Sequence, residues 1–290
     1  MRNETVIFLH IPKTAGTTLR RILENQYAPD EQYSTYPTAL QPHASLAAFS
    51  HLDEAHRLRI RLLMGHMPFG LHAFLPQPSR YFTILRDPVE RVVSHYYFLH
   101  RFPTRNPSQQ DHTTAMTLQH FVENPMIVEA KNLQTRMISG VMNQEATKTS
   151  DEALLTHAKH NLREAFDVIG LAERFDETLL LLKNAFHWRQ VFYVKLNVTR
   201  ARPQQDGIAP EIRSLIQKNN QLDLDLYRYA QELFAEQLHR QGTVFAQQLR
   251  SFQARNRLLQ PLLHVWWRSP HAVSAVMRKV KESISLPHAT

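Results

Sequence analysis

Short, almost uninterrupted apolar runs alternate with amphipathic stretches along most of this chain, and that alternation limits the possible folds more than any other feature. Residues 5–10, "IRLLMGH" ending at His66, Tyr81 to Leu85, "FDVIGLAE" and "QVFYVKL" each have strand length and β-branched or aromatic content. Helical periodicity falls between them. Residues 16–26 put Leu19, Ile22 and Leu23 on one face, and residues 46–58, 117–123, 126–139 and 151–165, "RFDETLLLLKNAF" and two segments within 210–240 complete the set. After Leu85, Asp87 reads as an N-cap, Pro88 as the first helical residue and Glu90 as the return half of a capping box, opening a helix to about His100. Residues 28–45, 101–115 and 197–209 read as loops. Strands that are apolar on both sides and separated by helices predict an α/β fold, a parallel central sheet flanked by helices.

In such a sheet ligands bind beyond the carboxyl ends of the strands. Three segments directly follow a strand and therefore share that rim. The first lies in "FLHIPKTAGTTLRRIL", residues 8–23, where a strand runs through a small-residue loop into a helix. Backbone N–H groups from Thr14 through Ala15, Gly16, Thr17 and Thr18 can face an anion at the helix start, where the dipole also favours negative charge. Gly16 allows close backbone approach, and Lys13 adds a cation. The order of glycine and lysine does not match the G-x-x-x-x-G-K-[ST] nucleotide loop.

The second segment, "LRDPVERVVS", sets Arg86 at a strand end and Ser94 two turns into the next helix, a guanidinium fork and a hydroxyl suited to a phosphate monoester. The same residues also suit a surface ion pair and an ordinary helix serine. The third, "GHMPFG", places His66 between Gly65 and Gly70; its titration range suits a general base. With 17 histidines in the chain, only its place on the rim distinguishes it.

Together these segments resemble the sulfotransferases. "IPKTAGTTL" looks like their 5′-phosphosulfate loop and "TILRDPVERVVSHYYF" their 3′-phosphate segment. "GHMPFG" is similar to the histidine segment of the carbohydrate sulfotransferases related to heparan sulfate 2-O-sulfotransferase. "NLQTRMISG", "VIGLAERFDETLLLL" and "NNQLDLDLYRYAQELF" extend the likeness over residues 4–240. The resemblance implies the sulfotransferase fold, a P-loop-type parallel sheet. It implies 3′-phosphoadenosine 5′-phosphosulfate as co-substrate, adenosine 3′,5′-bisphosphate as product, and no metal. Its two anionic ends would fall to the first loop (Lys13 to Thr18) and to Arg86 with Ser94. Lys13 would stabilise the leaving phosphate, His66 would take the proton of a glycan hydroxyl, and Asn132 and Arg136 would lie near the acceptor.

Two rivals remain at this level. A P-loop kinase shares the strand-loop-helix and would use Asp87 with Thr17 or Thr18 at magnesium. A non-catalytic nucleotide-binding module would keep the fold alone. The 43% apolar and 21% charged content is ordinary, and the absence of cysteine excludes disulfides and thiolate metal sites. With no signal-like start and no long apolar run, a cytoplasmic protein is expected.

The formal charge of +8 is uneven. Residues 241–290 hold seven basic residues (Arg250, Arg255, Arg257, Arg268, Arg278, Lys279 and Lys281) against Glu282, so 7 − 1 = +6 of it lies there. The basicity belongs to the tail, which weakens a nucleic-acid reading. Residues 1–240 are expected to form the catalytic domain. The basic, helical 241–290 extension would lie on an anionic membrane, bind a polyanion or pack on the core.

Overall fold

The structure, a computed structural model, describes residues 4–36, 45–101, 116–142, 148–194 and 207–268, with side chains given to residue 261. Five strands form one sheet: β1 (Thr5–Leu9), β2 (Gln32–Ser34), β3 (Leu62–Gly65), β4 (Ser79–Leu85) and β5 (Phe166–Leu171). Their order is β2-β3-β1-β4-β5 and every pairing is parallel. The helices are α1 (Gly16–Glu24), α2 (Leu46–Ser50), α3 (Glu54–Arg59), α4 (Pro88–Arg101), α5 (Leu118–Glu123) and α6 (Leu133–Ser139). They continue with α7 (Asp151–Ala165), α8 (Phe175–Phe186), α9 (Pro210–Asn219), α10 (Gln221–Arg240) and α11 (Val244–Arg268).

The sheet forms because its strands have nowhere wet to face. Ile7, Phe8 and Leu9 of β1 and Leu62 and Leu63 of β3 are completely buried. Each such side chain contributes about 1.5–3 kcal/mol relative to exposure. Register pairs Leu9 with Gly65 on one side and with Thr83 on the other. β1, β3 and β4 therefore end side by side, and the segments carrying Lys13, His66 and Arg86 leave the same edge. A second core joins α4, α5 and α9 through Val89, Val92, Val93, Phe121 and Ile216.

Four expectations are corrected. The helix expected over 46–58 is two short ones, α2 and α3, divided where extended Asp53 caps the second by accepting from the His56 N–H. The loop expected over 28–45 contains an edge strand, Gln32–Ser34, with Tyr33 buried; three residues are too few for a periodic signal. "QVFYVKL" was expected as a strand, but residues 191–194 lie outside the sheet, and Lys195 and Leu196 fall outside the described residues. The Tyr193 N–H donates to Asn256 Oδ1 at 2.9 Å, and its carbonyl accepts from Gln260 Nε2 at 2.8 Å, so side chains of α11 serve the main chain where a strand neighbour would. The helix expected over 126–139 is broken by Asn132, whose φ of 45° is left-handed.

Within the basic C-terminal region, α11 contributes Phe245 and Phe252 to the main core. The cations Arg278, Lys279 and Lys281 lie outside the described residues, as do residues 102–115 and 195–206. Among the described residues no helix is long and apolar enough to cross a membrane.

Candidate active site

The first loop is held by unusual backbone. Lys13 and Ala15 both have positive φ, 73° and 68°, which non-glycine residues adopt rarely. Thr14 is buried and spends its hydroxyl on the Ile11 carbonyl at 2.8 Å. Ala15 is the N-cap of α1 and offers no side-chain bond, and the first turn holds no acid. The opening amides of α1, including those of Gly16, Thr17 and Thr18, thus precede the first intrahelical acceptor bond and have no capping side chain. Thr17 is exposed at this end and Thr18 is buried. Gly16 is required by a neighbour: a Cβ there would lie 1.6 Å from His10 Nε2.

His10 and His66 stand side by side at the ends of β1 and β3, ring centroids 4.5 Å apart, with Tyr36 at 5.1 Å from His66. Nδ1 of His66 lies 2.8 Å from the His10 carbonyl oxygen. A carbonyl only accepts, so Nδ1 carries the proton and Nε2 of the neutral ring bears the lone pair. His66 retains solvent-accessible surface while being crowded by these rings. That desolvation lowers its pKa; the bond to His10 opposes the shift and the nearby Lys13 charge adds to it. Burial pushes His10 much further below the ordinary range, with His66, Arg20 and Lys13 adding repulsion.

Arg86, just past β4, ties its own segment to the loop after β1. Its Nη1 donates to the Lys13 carbonyl at 3.1 Å, and its Nη2 meets Glu90 at 3.2 Å. Asp87 caps α4 as expected, its Oδ1 accepting from the Glu90 N–H at 2.9 Å. The expected return half of the box is replaced: the Glu90 carboxylate serves Arg86, and the Asp87 N–H donates to Glu173 Oε1 at 3.0 Å. Along α4, Glu90, Ser94 and Phe98 succeed one another at four-residue spacing and share a face. The Lys13 Nζ lies 3.7 Å from the centroid of Phe98, so the lysine expected at the phosphate also contacts this helix.

Asn132 and Arg136 are engaged in the scaffold. Asn132 Oδ1 accepts from the N–H groups of Leu222 and Asp223 at the start of α10, and Arg136 donates to the Val128 carbonyl. Gln134, which a continuous helix over 126–139 would turn away from Asn132 and Arg136, is the member of this segment that reaches the rim. Its carboxamide bonds the Arg86 main chain at both N–H and C=O. The signal that could have found it is the break at Asn132, which starts a new helix at Leu133. His10 and Phe98 were also missed; each lies in a motif already singled out. Among the described residues no group of three or more His, Asp or Glu is placed to hold a metal ion.

At one edge of the parallel sheet, uncapped helix amides and Lys13 follow β1, Arg86 follows β4, and the His66 imidazole with its unprotonated Nε2 follows β3, an arrangement chemically suited to an anionic group. The family model for galactose-3-O-sulfotransferases matches residues 1–264, and the chain belongs to that family. A zebrafish heparan-sulfate 6-O-sulfotransferase 3-B is 28% identical over 81% of this chain and 64% of its own length. Human galactose-3-O-sulfotransferase 3 is 26% identical over 89% and 63%. The chain therefore spans slightly less than two thirds of these relatives. A mouse sulfotransferase, SULT7A1, solved with PAP, has a TM-score of 0.42 at 13% identity, covering 79% of this chain and 90% of that one. The resemblance to the carbohydrate sulfotransferases holds, and the family match draws it toward enzymes named for galactose.

Proposed function

We propose that this chain is a sulfotransferase that moves a sulfuryl group from 3′-phosphoadenosine 5′-phosphosulfate to a hydroxyl of a glycan or glycoconjugate. The observation that carries the reading is the orientation of His66. Its Nδ1–H is spent on a backbone carbonyl, which leaves Nε2 as an acceptor on the rim shared by Lys13 and Arg86. The lowered pKa keeps that nitrogen unprotonated at neutral pH.

In the reaction the acceptor oxygen attacks sulfur, the bond from sulfur to the bridging oxygen breaks, and the hydroxyl proton passes to His66 Nε2. The developing negative charge falls on the 5′-phosphate of the departing bisphosphate. The bare amides at the start of α1 and the Lys13 ammonium stabilise it there. Thr17 adds a hydroxyl at the same end. Arg86, with Ser94 two turns into α4, receives the 3′-phosphate, and in-line positioning of the two substrates supplies much of the remaining acceleration. The sugar acceptor follows from the relatives, which are named for heparan sulfate and galactose.

Two measurements test this. Adenosine 3′,5′-bisphosphate should raise the melting temperature while ATP with magnesium does not; the reverse result favours a kinase and ends the proposal. A labelled-sulfate transfer screen over glycans and glycolipids should find an acceptor, with His66→Ala giving no transfer while binding the bisphosphate normally. Undiminished transfer by that variant removes His66 from the mechanism.

A further inference from the structure

Gln134 is fully buried, and its carboxamide is given over to one residue of the rim. Oε1 accepts from the Arg86 N–H at 3.0 Å, and Nε2 donates to the Arg86 carbonyl at 2.9 Å. Pairing both main-chain groups of one residue is what a facing residue does in an antiparallel ladder. β4 ends at Leu85, so the side chain extends main-chain support one residue past the sheet.

Gln134 is itself anchored. Its N–H donates to Asp223 Oδ2 at 3.2 Å, and the Thr135 N–H and hydroxyl both reach Asp223 Oδ1 at 2.8 Å. Asp223, also fully buried, thereby caps α6, while Asn132 at the start of α6 caps α10. The two helices fix each other's first turns. A line of bonded groups then runs from Asp223 through Gln134 and Arg86 to the Lys13 carbonyl.

We propose that Gln134 is a positioning residue for the donor: it holds the Arg86 main chain where the guanidinium reaches the Lys13 loop and a 3′-phosphate together. The spacing between the two anion sites is thus set from α6. The inference rests on the reading of Arg86 as the 3′-phosphate contact.

The test is calorimetric binding of adenosine 3′,5′-bisphosphate and of adenosine 5′-monophosphate, which lacks the 3′-phosphate. Gln134→Met keeps length and removes both bonds. It should weaken bisphosphate binding about tenfold, the size of one or two net hydrogen bonds, while barely changing monophosphate binding. Thr135→Val serves as comparator, since it loosens the Asp223 cap without touching the carboxamide. It should lower the melting temperature and leave the preference for the bisphosphate intact. Gln134→Leu also removes both bonds, should show the same loss of preference as Gln134→Met, and decides the matter if the methionine variant does not fold. Wild-type preference retained in the Gln134 variants, or lost equally in Thr135→Val, overturns the positioning role. A wild-type chain that does not prefer the bisphosphate overturns the reading of Arg86, and the inference with it.

Discussion

Gly16→Ala sets two rules against each other. By helix propensity, alanine at the first turn of α1 should gain up to about 1 kcal/mol over glycine. By packing it should lose, because the new Cβ would stand 1.6 Å from His10 Nε2 and 2.2 Å from Cε1, whereas ordinary contact begins at 3.4 Å. The ring or the loop must yield by about 1.8 Å. The ring is poorly placed to yield, stacked 5.0 Å from Phe8 on one side and 4.5 Å from His66 on another. Overpacking of this severity costs about 3 kcal/mol, so the net loss should be about 2 kcal/mol. In a chain of this size that is a fall in Tm of about 4–8 °C. The decisive assay is a double-mutant cycle by scanning calorimetry. In a His10→Ala background the obstacle is gone, and Gly16→Ala should be neutral or slightly stabilising. An equal loss in both backgrounds would refute the argument that His10 excludes a side chain at position 16.

Two further predictions concern imidazoles. Because the pKa of His66 is lowered, its basic form already prevails at neutral pH. Sulfate transfer should then be flat above pH 7 and fall only as pH drops through a pKa below 6.5; an acid limb centred above 7 contradicts this. His95 is pushed down to about 3, first by burial and then by the Arg91 charge. Between pH 6.5 and about 3 the unfolded chain binds that proton and the folded chain does not, so stability is lost as pH falls through this window, by up to about 1.4 kcal/mol per pH unit. His10 acts in the same direction. His95→Leu should flatten the dependence of Tm on pH between 6.5 and 4, and an unchanged slope would show that His95 titrates normally.

The central strands were legible because β1, β3, β4 and β5 are each dominated by a short run of apolar residues, interrupted only by residues such as Thr83 and Asp167, and such a run has few alternatives to a buried parallel strand. β2 escaped notice because three residues carry no period. The segment at 191–194 has strand composition, yet the side chains of Asn256 and Gln260 claim its main chain, a contact more than 60 residues away that local pattern cannot encode. The rim residues Lys13, His66 and Arg86 could be placed from sequence, since each directly follows a strand whose register the apolar pattern sets. What lay hidden was their coupling. The Gln134 clamp depends on a left-handed Asn132 and on Asp223, 89 residues from Gln134, meeting across two helices.

The bond from His66 Nδ1 goes to main chain, and this has an evolutionary consequence. A carboxylate in that position could be deleted by a single codon change, whereas an oxygen of the polypeptide itself survives every replacement at position 10. The tautomer is therefore written into the path of the chain as it leaves β1, and only a change in that path can erase it. A carbonyl also brings no formal charge, so the ring gains direction without the added basicity that an anionic partner would confer.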